Sequence, residues 1–144
     1  MRIERFRWWH IADVLPIEED LFGAEKWSAA MFWNELAQRR FYLVALDPEI
    51  CGYAGLSIVD KSEAWIQNLA VAKTAQRRGI GRRLLEALLS EAERNDVNRV
   101  FLEVAVDNQP AQRLYATYDF QPVGIRRGYY QPSNTDALVM IRSA

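Results

Sequence analysis

The segment Gln76-Arg77-Arg78-Gly79-Ile80-Gly81-Arg82-Arg83-Leu84-Leu85-Glu86-Ala87-Leu88-Leu89 carries the strongest fold signal in the chain. Its second half is helical in pattern. Leu84, Leu85, Leu88, Leu89 and Ala92 recur on one face, with Arg82, Arg83, Glu86 and Glu93 elsewhere, which takes the helix to about Arg94. The first half is a glycine-rich entry to that helix, where the leading backbone N–H groups lack intrahelical acceptors and the helix dipole favours an anion. Glycine lets main chain approach phosphate oxygens closely, and the flanking arginines add positive charge. The bare pattern Gln/Arg-x-x-Gly-x-Gly/Ala arises by chance in roughly 0.1–0.2 chains of this size, so a plain helix entry with solvated arginines is an equal alternative. It is not a Walker loop, because no Gly-Lys-Ser/Thr follows. A dinucleotide fingerprint needs Gly or Ala three residues after Gly81, where Leu84 stands.

Working outward, Val100 to Val106 reads as a nearly continuous apolar strand, expected to be buried on both faces. A strand from about Ala64 to Val71 precedes the helix, so strand, helix and strand form a right-handed crossover between parallel neighbours. Upstream, Phe41–Leu46, the turn Asp47-Pro48-Glu49, Cys51–Val59 and the turn Asp60-Lys61-Ser62 make an antiparallel meander with that strand. Ile3 to Arg7 is a first strand. His10 to Phe22 is a helix with Ile11, Val14, Leu15 and Leu21 on its apolar face and Pro16 as an irregularity. Ser28 caps a second helix in which Ala29, Phe32, Trp33 and Leu36 recur. A helix from Pro110 to Tyr118 and a last strand from Ala137 to Ile141 complete one α/β domain, residues 1–144, with a mixed sheet.

Composition excludes several chemistries. The 144 residues are 50% hydrophobic and 12% aromatic, enough for a sizeable core. One cysteine, Cys51, and one histidine, His10, cannot build a four-ligand zinc site or an internal disulfide, and no metal is expected. A Ser-His or Cys-His nucleophile scheme would have to run through His10. No apolar run approaches the roughly 18 residues of a membrane span, and the N-terminus lacks a signal-peptide core, so a cytoplasmic protein without membrane contact is expected. Net charge is −1, which suggests no direct nucleic-acid binding. Residues 1–72 nevertheless carry net −4 and residues 73–144 net +3, an arrangement that suits a cationic substrate and a polyanionic cofactor, or ordinary surface variation.

Three residues stand out. Glu103 interrupts Val100-Phe101-Leu102 and Val104-Ala105-Val106; an unpaired carboxylate buried there costs several kcal/mol, so it faces a cleft or has a partner such as Arg113 or another arginine. Tyr115 shares a helix face with Ala111, Leu114 and Tyr118, which also fits a core aromatic. Asn108, before Gln109-Pro110, is a good helix N-cap.

Together the strand-QRRGIG-helix unit, VFLEVAV, Asn108 and RLYATYDF resemble the GNAT superfamily of acetyl-CoA-dependent N-acetyltransferases over nearly the whole chain. Lys26-Trp27-Ser28, Asn68-Leu69-Ala70-Val71, Leu102-Glu103-Val104, Ile125-Arg126-Arg127-Gly128-Tyr129-Tyr130 and Asp136-Ala137-Leu138-Val139-Met140 are most similar to its RimI group, which acetylates the N-terminal alanine of a small-subunit ribosomal protein. The resemblance implies the GNAT fold, antiparallel at its N-terminal end with a parallel pair at the cofactor cleft. It implies that Gln76, Arg77, Arg78, Gly79, Ile80, Gly81, Arg82 and Arg83 form the pyrophosphate loop, with the backbone amides from Arg78 through Arg83 as donors. Leu69-Ala70-Val71, through the main chain of Leu69 and Val71, would pair with the pantetheine arm, joined by Asn108. Glu103 is the implied general base and Tyr115 the implied general acid beside the cofactor. Trp27, Asn68, Glu103, Tyr129 and Tyr130 are the implied acceptor-groove residues, with aromatic packing in a loop before the last strand as the competing reading of the two tyrosines.

The implied acceptor is a protein N-terminus, and the implied enzyme a monomer or weak dimer. Another amine, or an acyl-CoA-binding module without turnover, is the alternative. Glu18, Glu19, Asp20 and Glu25 either attract a basic peptide or form a solvated acidic face. Trp27 either shapes the groove or staples the second helix. Where the family often has Leu-Gly-Phe this chain has Tyr118-Asp119-Phe120, and aspartate is expected to tolerate the left-handed helix exit.

Overall fold

Seven strands form one sheet in the computed structural model, which describes residues 1–143. In chain order they are β1 (Arg2–Arg5), β2 (Phe41–Leu46), β3 (Ile50–Asp60), β4 (Glu63–Val71), β5 (Arg99–Ala105), β6 (Gln121–Tyr130) and β7 (Thr135–Ser143). Their spatial order is β1-β2-β3-β4-β5-β7-β6. Every neighbouring pair is antiparallel except β4 and β5, which the crossover through α3 (Ile80–Arg94) makes parallel. Helices α1 (Ile11–Phe22), α2 (Ala29–Ala37) and α4 (Gln109–Ala116) complete the chain.

Period-two alternation along β2–β4 divides the core between the two sheet faces. Leu43, Ala54, Leu56, Ala64 and Ile66 pack with Leu84, Leu85 and Leu88 of α3 and with Tyr115 of α4. Tyr42, Val44 and Tyr53 pack on the other face with Val14 of α1 and Phe32 of α2. Local chemistry sets the helix boundaries. The Ser28 hydroxyl accepts from Met31 N–H at 3.3 Å, and Trp27, just before the cap, packs on Phe32 with ring centroids 5.3 Å apart, a hydrophobic staple. Asn108 caps α4 through Ala111 N–H at 3.3 Å. Asp119 has φ +68 beyond that helix, as its tolerance of the left-handed region predicts.

Two expectations need correction. Gln121–Tyr130, read as a connection before the last strand, is an edge strand. Pro122, two glycines and exposed Val123 and Ile125 hide its period, and only an edge position tolerates them. β5 is also not buried on both faces. Val100, Leu102 and Val104 are buried against α3, whereas Phe101, Glu103 and Ala105 on the opposite face are half-buried.

Candidate active site

The β4–β5 pairing stops early. Glu63, Ala64 and Trp65 pair with Arg99, Val100 and Phe101, and beyond them the strands have no paired residues. An extra residue in β4 accompanies the parting: Gly55 pairs with Gln67 and Tyr53 with Ala70, and Asn68 between them takes φ +56. Asparagine suits that conformation; its Nδ2 is buried on the Tyr42 side, without an aligned hydrogen bond among the described residues.

Past the bulge, Ala72 N–H donates to Cys51 O at 2.8 Å. Alternation then turns the main chain of Ala70 toward β3 and that of Leu69 and Val71 toward the gap. Ala70, with its side chain 5% exposed in the α1–α2 core, is unavailable to a ligand in that gap, contrary to its inclusion among cofactor contacts. Gln76 Nε2 donates to Val71 O at 3.0 Å, so this side chain is used to close the edge. The Val71 N–H and the main-chain groups of Leu69 remain.

At the end of this edge α3 begins. Gly79 occupies its N-cap with φ +77, and no atom lies within 4 Å of a Cβ built there. Helix geometry leaves the N–H groups of Gly79, Ile80, Gly81 and Arg82 without intrahelical acceptors. Arg83 N–H is already used, donating to Gly79 O at 3.1 Å, which removes it from the expected set of donors. Arg77 is exposed with φ +66. Arg78 lies 3.5 Å from Asp47, and Arg82 donates to Tyr118 Oη at 3.2 Å. Gly52 lets this helix end sit close to β3, because a Cβ there would be 3.1 Å from Ala70 O and 3.2 Å from Leu84 Cδ1.

Across the gap, the Glu103 carboxylate is 15% exposed, with Oε2 3.2 Å from Arg126 Nε of β6. The expectation of an arginine partner is met by Arg126, 23 residues downstream, and not by Arg113. Tyr129 and Tyr130 of β6 stack edge to face, 5.0 Å apart. Burial pushes both phenols above their usual range, and the Glu103 charge pushes in the same direction. Tyr115 is buried against Phe120 at 5.9 Å, and no hydrogen bond from its hydroxyl is found among the described residues. Burial raises its pKa, with Tyr130 contributing. Asn108 spends its side chain on the α4 cap, and Gln112 reaches back to Ala105 O and Val106 O at 3.1 and 3.0 Å.

The acidic cluster divides: Glu19 and Asp20 are exposed, as a solvated face would be, whereas Glu18 and Glu25 are engaged by the protein itself. Glu18 is 1% exposed and accepts from Trp27 N–H and Tyr53 Oη, both at 2.8 Å; burial raises its pKa against these hydrogen bonds. Asp20 lies 3.6 Å from Lys73. Glu25 accepts from Ser133 N–H and Oγ, tying the α1–α2 connection to the β6–β7 turn. Sequence reasoning named Glu25 only within the acidic cluster and Arg126 only within the Ile125–Tyr130 segment, and no local pattern marks the partner of either. Trp27 acts as the staple of α2 and lines a hollow of about 390 Å³ between α1 and α2. Among the described residues no helix is long and apolar enough to cross a membrane.

Residues 4–120 match the model of the acetyltransferase (GNAT) family. The chain is 40% identical over 134 residues to the N-alpha-acetyltransferase RimI of Mycobacterium tuberculosis, covering 89% of this chain and 83% of that protein. It is 36% identical over 117 residues to the ribosomal protein bS18-alanine N-acetyltransferase of Salmonella typhimurium, covering 79% and 78%. The crystal structure of the ribosomal-protein-S18-alanine N-acetyltransferase from Escherichia coli superposes with a TM-score of 0.88 at 30% identity, over 99% of this chain and 92% of that one.

Proposed function

The chain belongs to the GNAT acetyltransferase family, which uses acetyl-CoA, and on that premise we propose that it acetylates a protein N-terminal α-amine, that of the N-terminal alanine of ribosomal protein bS18, in the cytoplasm. The observation that carries the proposal is the parted β4–β5 edge. It presents free main-chain groups at Leu69 and Val71, unpaired amides at the start of α3 and a carboxylate, Glu103, on the facing strand. The pyrophosphate suits the amides of Gly79 to Arg82, and the pantetheine amides suit the strand edge left by β5.

Acetyl-CoA brings an already activated thioester, so the protein has to position a neutral amine and assist sulfur departure. At pH 7 an α-amine of pKa near 8 is about a tenth neutral, whereas lysine near 10.4 is neutral about once in 2,500. A carboxylate is therefore base enough for an N-terminus, and Glu103 accepts the amine proton, directly or through water. Tyr115 offers its Oη proton toward the sulfur. Because burial raises this phenol, it stays protonated at neutral pH and acts first as a hydrogen-bond donor, with full transfer more uphill than for an ordinary phenol. Asn68 at the bulge and Tyr129 and Tyr130 of β6 are the acceptor contacts this reading assigns.

The test is CoA release from acetyl-CoA with two peptides, one with a free N-terminal alanine and one N-blocked with an added lysine. Turnover on the free terminus alone is expected. Glu103→Gln should lower it about 10²–10⁴-fold, with acetyl-CoA binding retained. Turnover confined to the lysine peptide refutes the α-amine assignment.

A further inference from the structure

The register of β6 sends its two adjacent arginines to opposite faces. Arg127 is 87% exposed beside Asp136 at 3.8 Å, whereas Arg126, paired through Ala137, shares the sheet face of Glu103. Gly128, with φ +61 and its N–H on Asp136 Oδ1 at 2.8 Å, marks the irregularity in register just beyond. The Arg126 guanidinium lies 5.7 Å from the Trp65 ring centroid and 5.6 Å from that of Tyr129. Trp65 is itself held, stacked on Phe101 at 4.9 Å with Nε1 on Glu63 at 2.9 Å. The Arg126 side chain is 52% exposed, and the planar shape of its guanidinium suits contact with the two rings in a way lysine does not match.

Glu103 Oε2 is buried, lacks an aligned hydrogen bond and has Arg126 as its one salt-bridge partner among the described residues. The other titratable groups facing this carboxylate are Tyr129 and Tyr130. Glu25 and Tyr115 interact in turn with Tyr130. The phenol of Tyr129 is within hydrogen-bonding reach of the carboxylate, and among the described residues Arg126 is the one cation in salt-bridge contact with it.

We propose that Arg126, flanked by Trp65 and Tyr129, is the positioning residue that keeps the Glu103 carboxylate aimed into the strand gap. This rests on Glu103 acting as the base. Without the guanidinium the carboxylate loses the partner that orients it, so a neutral variant loses turnover while cofactor binding is spared.

The experiment measures kcat and KM separately for the alanine-terminated peptide and for acetyl-CoA in the parent, Arg126→Gln, Arg126→Lys, Glu103→Gln and the double variant Arg126→Gln/Glu103→Gln. Arg126→Gln should lose about 10- to 100-fold, mainly in kcat, with its acetyl-CoA KM little changed. Arg126→Lys should restore only part of that rate. Because Arg126 acts through Glu103, Arg126→Gln should cost less than about threefold in the Glu103→Gln background. A loss of equal size in both backgrounds, or a loss confined to KM, overturns the proposal. If the parent fails to turn over the alanine peptide but the same cycle holds with another amine acceptor, the acceptor assignment falls and the role of Arg126 stands.

Discussion

Replacing Gly79 and Gly81 one at a time by alanine separates backbone conformation from space at the start of α3. Gly79 sits at φ +77 with open space around a built Cβ, so the cost of alanine is conformational, about 1–2 kcal/mol for an L-residue in the left-handed region. With an unfolding entropy of about 2.1 cal/mol/K per residue, that lowers Tm by about 3–6 °C for a chain of this length. Gly81 lies inside the helix, and a Cβ there would meet Val71 Cγ2 at 3.5 Å and Leu114 Cδ2 at 3.9 Å, ordinary contacts. Alanine should therefore be neutral or stabilising by up to about 1 kcal/mol, raising Tm by up to about 3 °C. Acetyl-CoA affinity adds a second axis. Gly79→Ala disturbs the first of the free amides, and losing one charge-assisted hydrogen bond of about 1.5–3 kcal/mol weakens Kd about 10- to 100-fold, while Gly81→Ala leaves it within about threefold. Differential scanning calorimetry and titration calorimetry with acetyl-CoA measure both. If Gly79→Ala matches the parent in Tm and Kd, or Gly81→Ala is the more damaging change, the reasoning from φ and contact distances is wrong.

Gly55→Ala should prevent normal folding or cost more than about 3 kcal/mol by urea denaturation. Its Cβ would sit 2.2 Å from Cζ of Tyr42, a ring held by hydrogen bonds to Glu35 and Gln67; wild-type stability would refute this. Glu18→Gln should gain stability relative to the parent as pH rises from about 4 to about 7. The raised pKa of Glu18 means that its contribution is fully present below the unfolded value and is lost as pH climbs through the folded one. A Gln amide can still accept from Trp27 and donate to a turned Tyr53 hydroxyl, so a pH-independent Tm difference would count against the assignment. Glu25→Ala should raise the peptide KM by about 3- to 10-fold through a looser β6–β7 turn, with the KM for acetyl-CoA unmoved in steady-state kinetics. Tyr115→Phe should cut turnover yet change Tm by less than about 2 °C, because its hydroxyl makes no hydrogen bond found among the described residues.

The elements legible in the sequence are those specified by neighbours along the chain. The leucine face of α3, the caps at Ser28 and Asn108 and the turns of the β2–β4 meander each depend on residues within a few positions of one another. The glycine-rich entry is legible for the same reason, since Gly79 and Gly81 act on their own backbone. β6 escaped because an edge strand carrying Pro122 and exposed apolar residues shows no alternation, and its pairing is determined by β7.

By itself, the sequence determined the fold class and the identity of the lone carboxylate in β5, because these follow from local periodicity and from a single polar residue in an apolar run, and it carried the family through the resemblance of its motifs. The tertiary structure decided which groups surround that carboxylate and which groups are already occupied. It paired Glu103 with Arg126, buried Glu18 under Tyr53, tied Glu25 to Ser133 across 108 residues and turned the main chain of Ala70 away from the gap. Such pairings depend on register between distant strands, where a one-residue slip sends every side chain to the other face, and no pattern confined to neighbouring residues records that register.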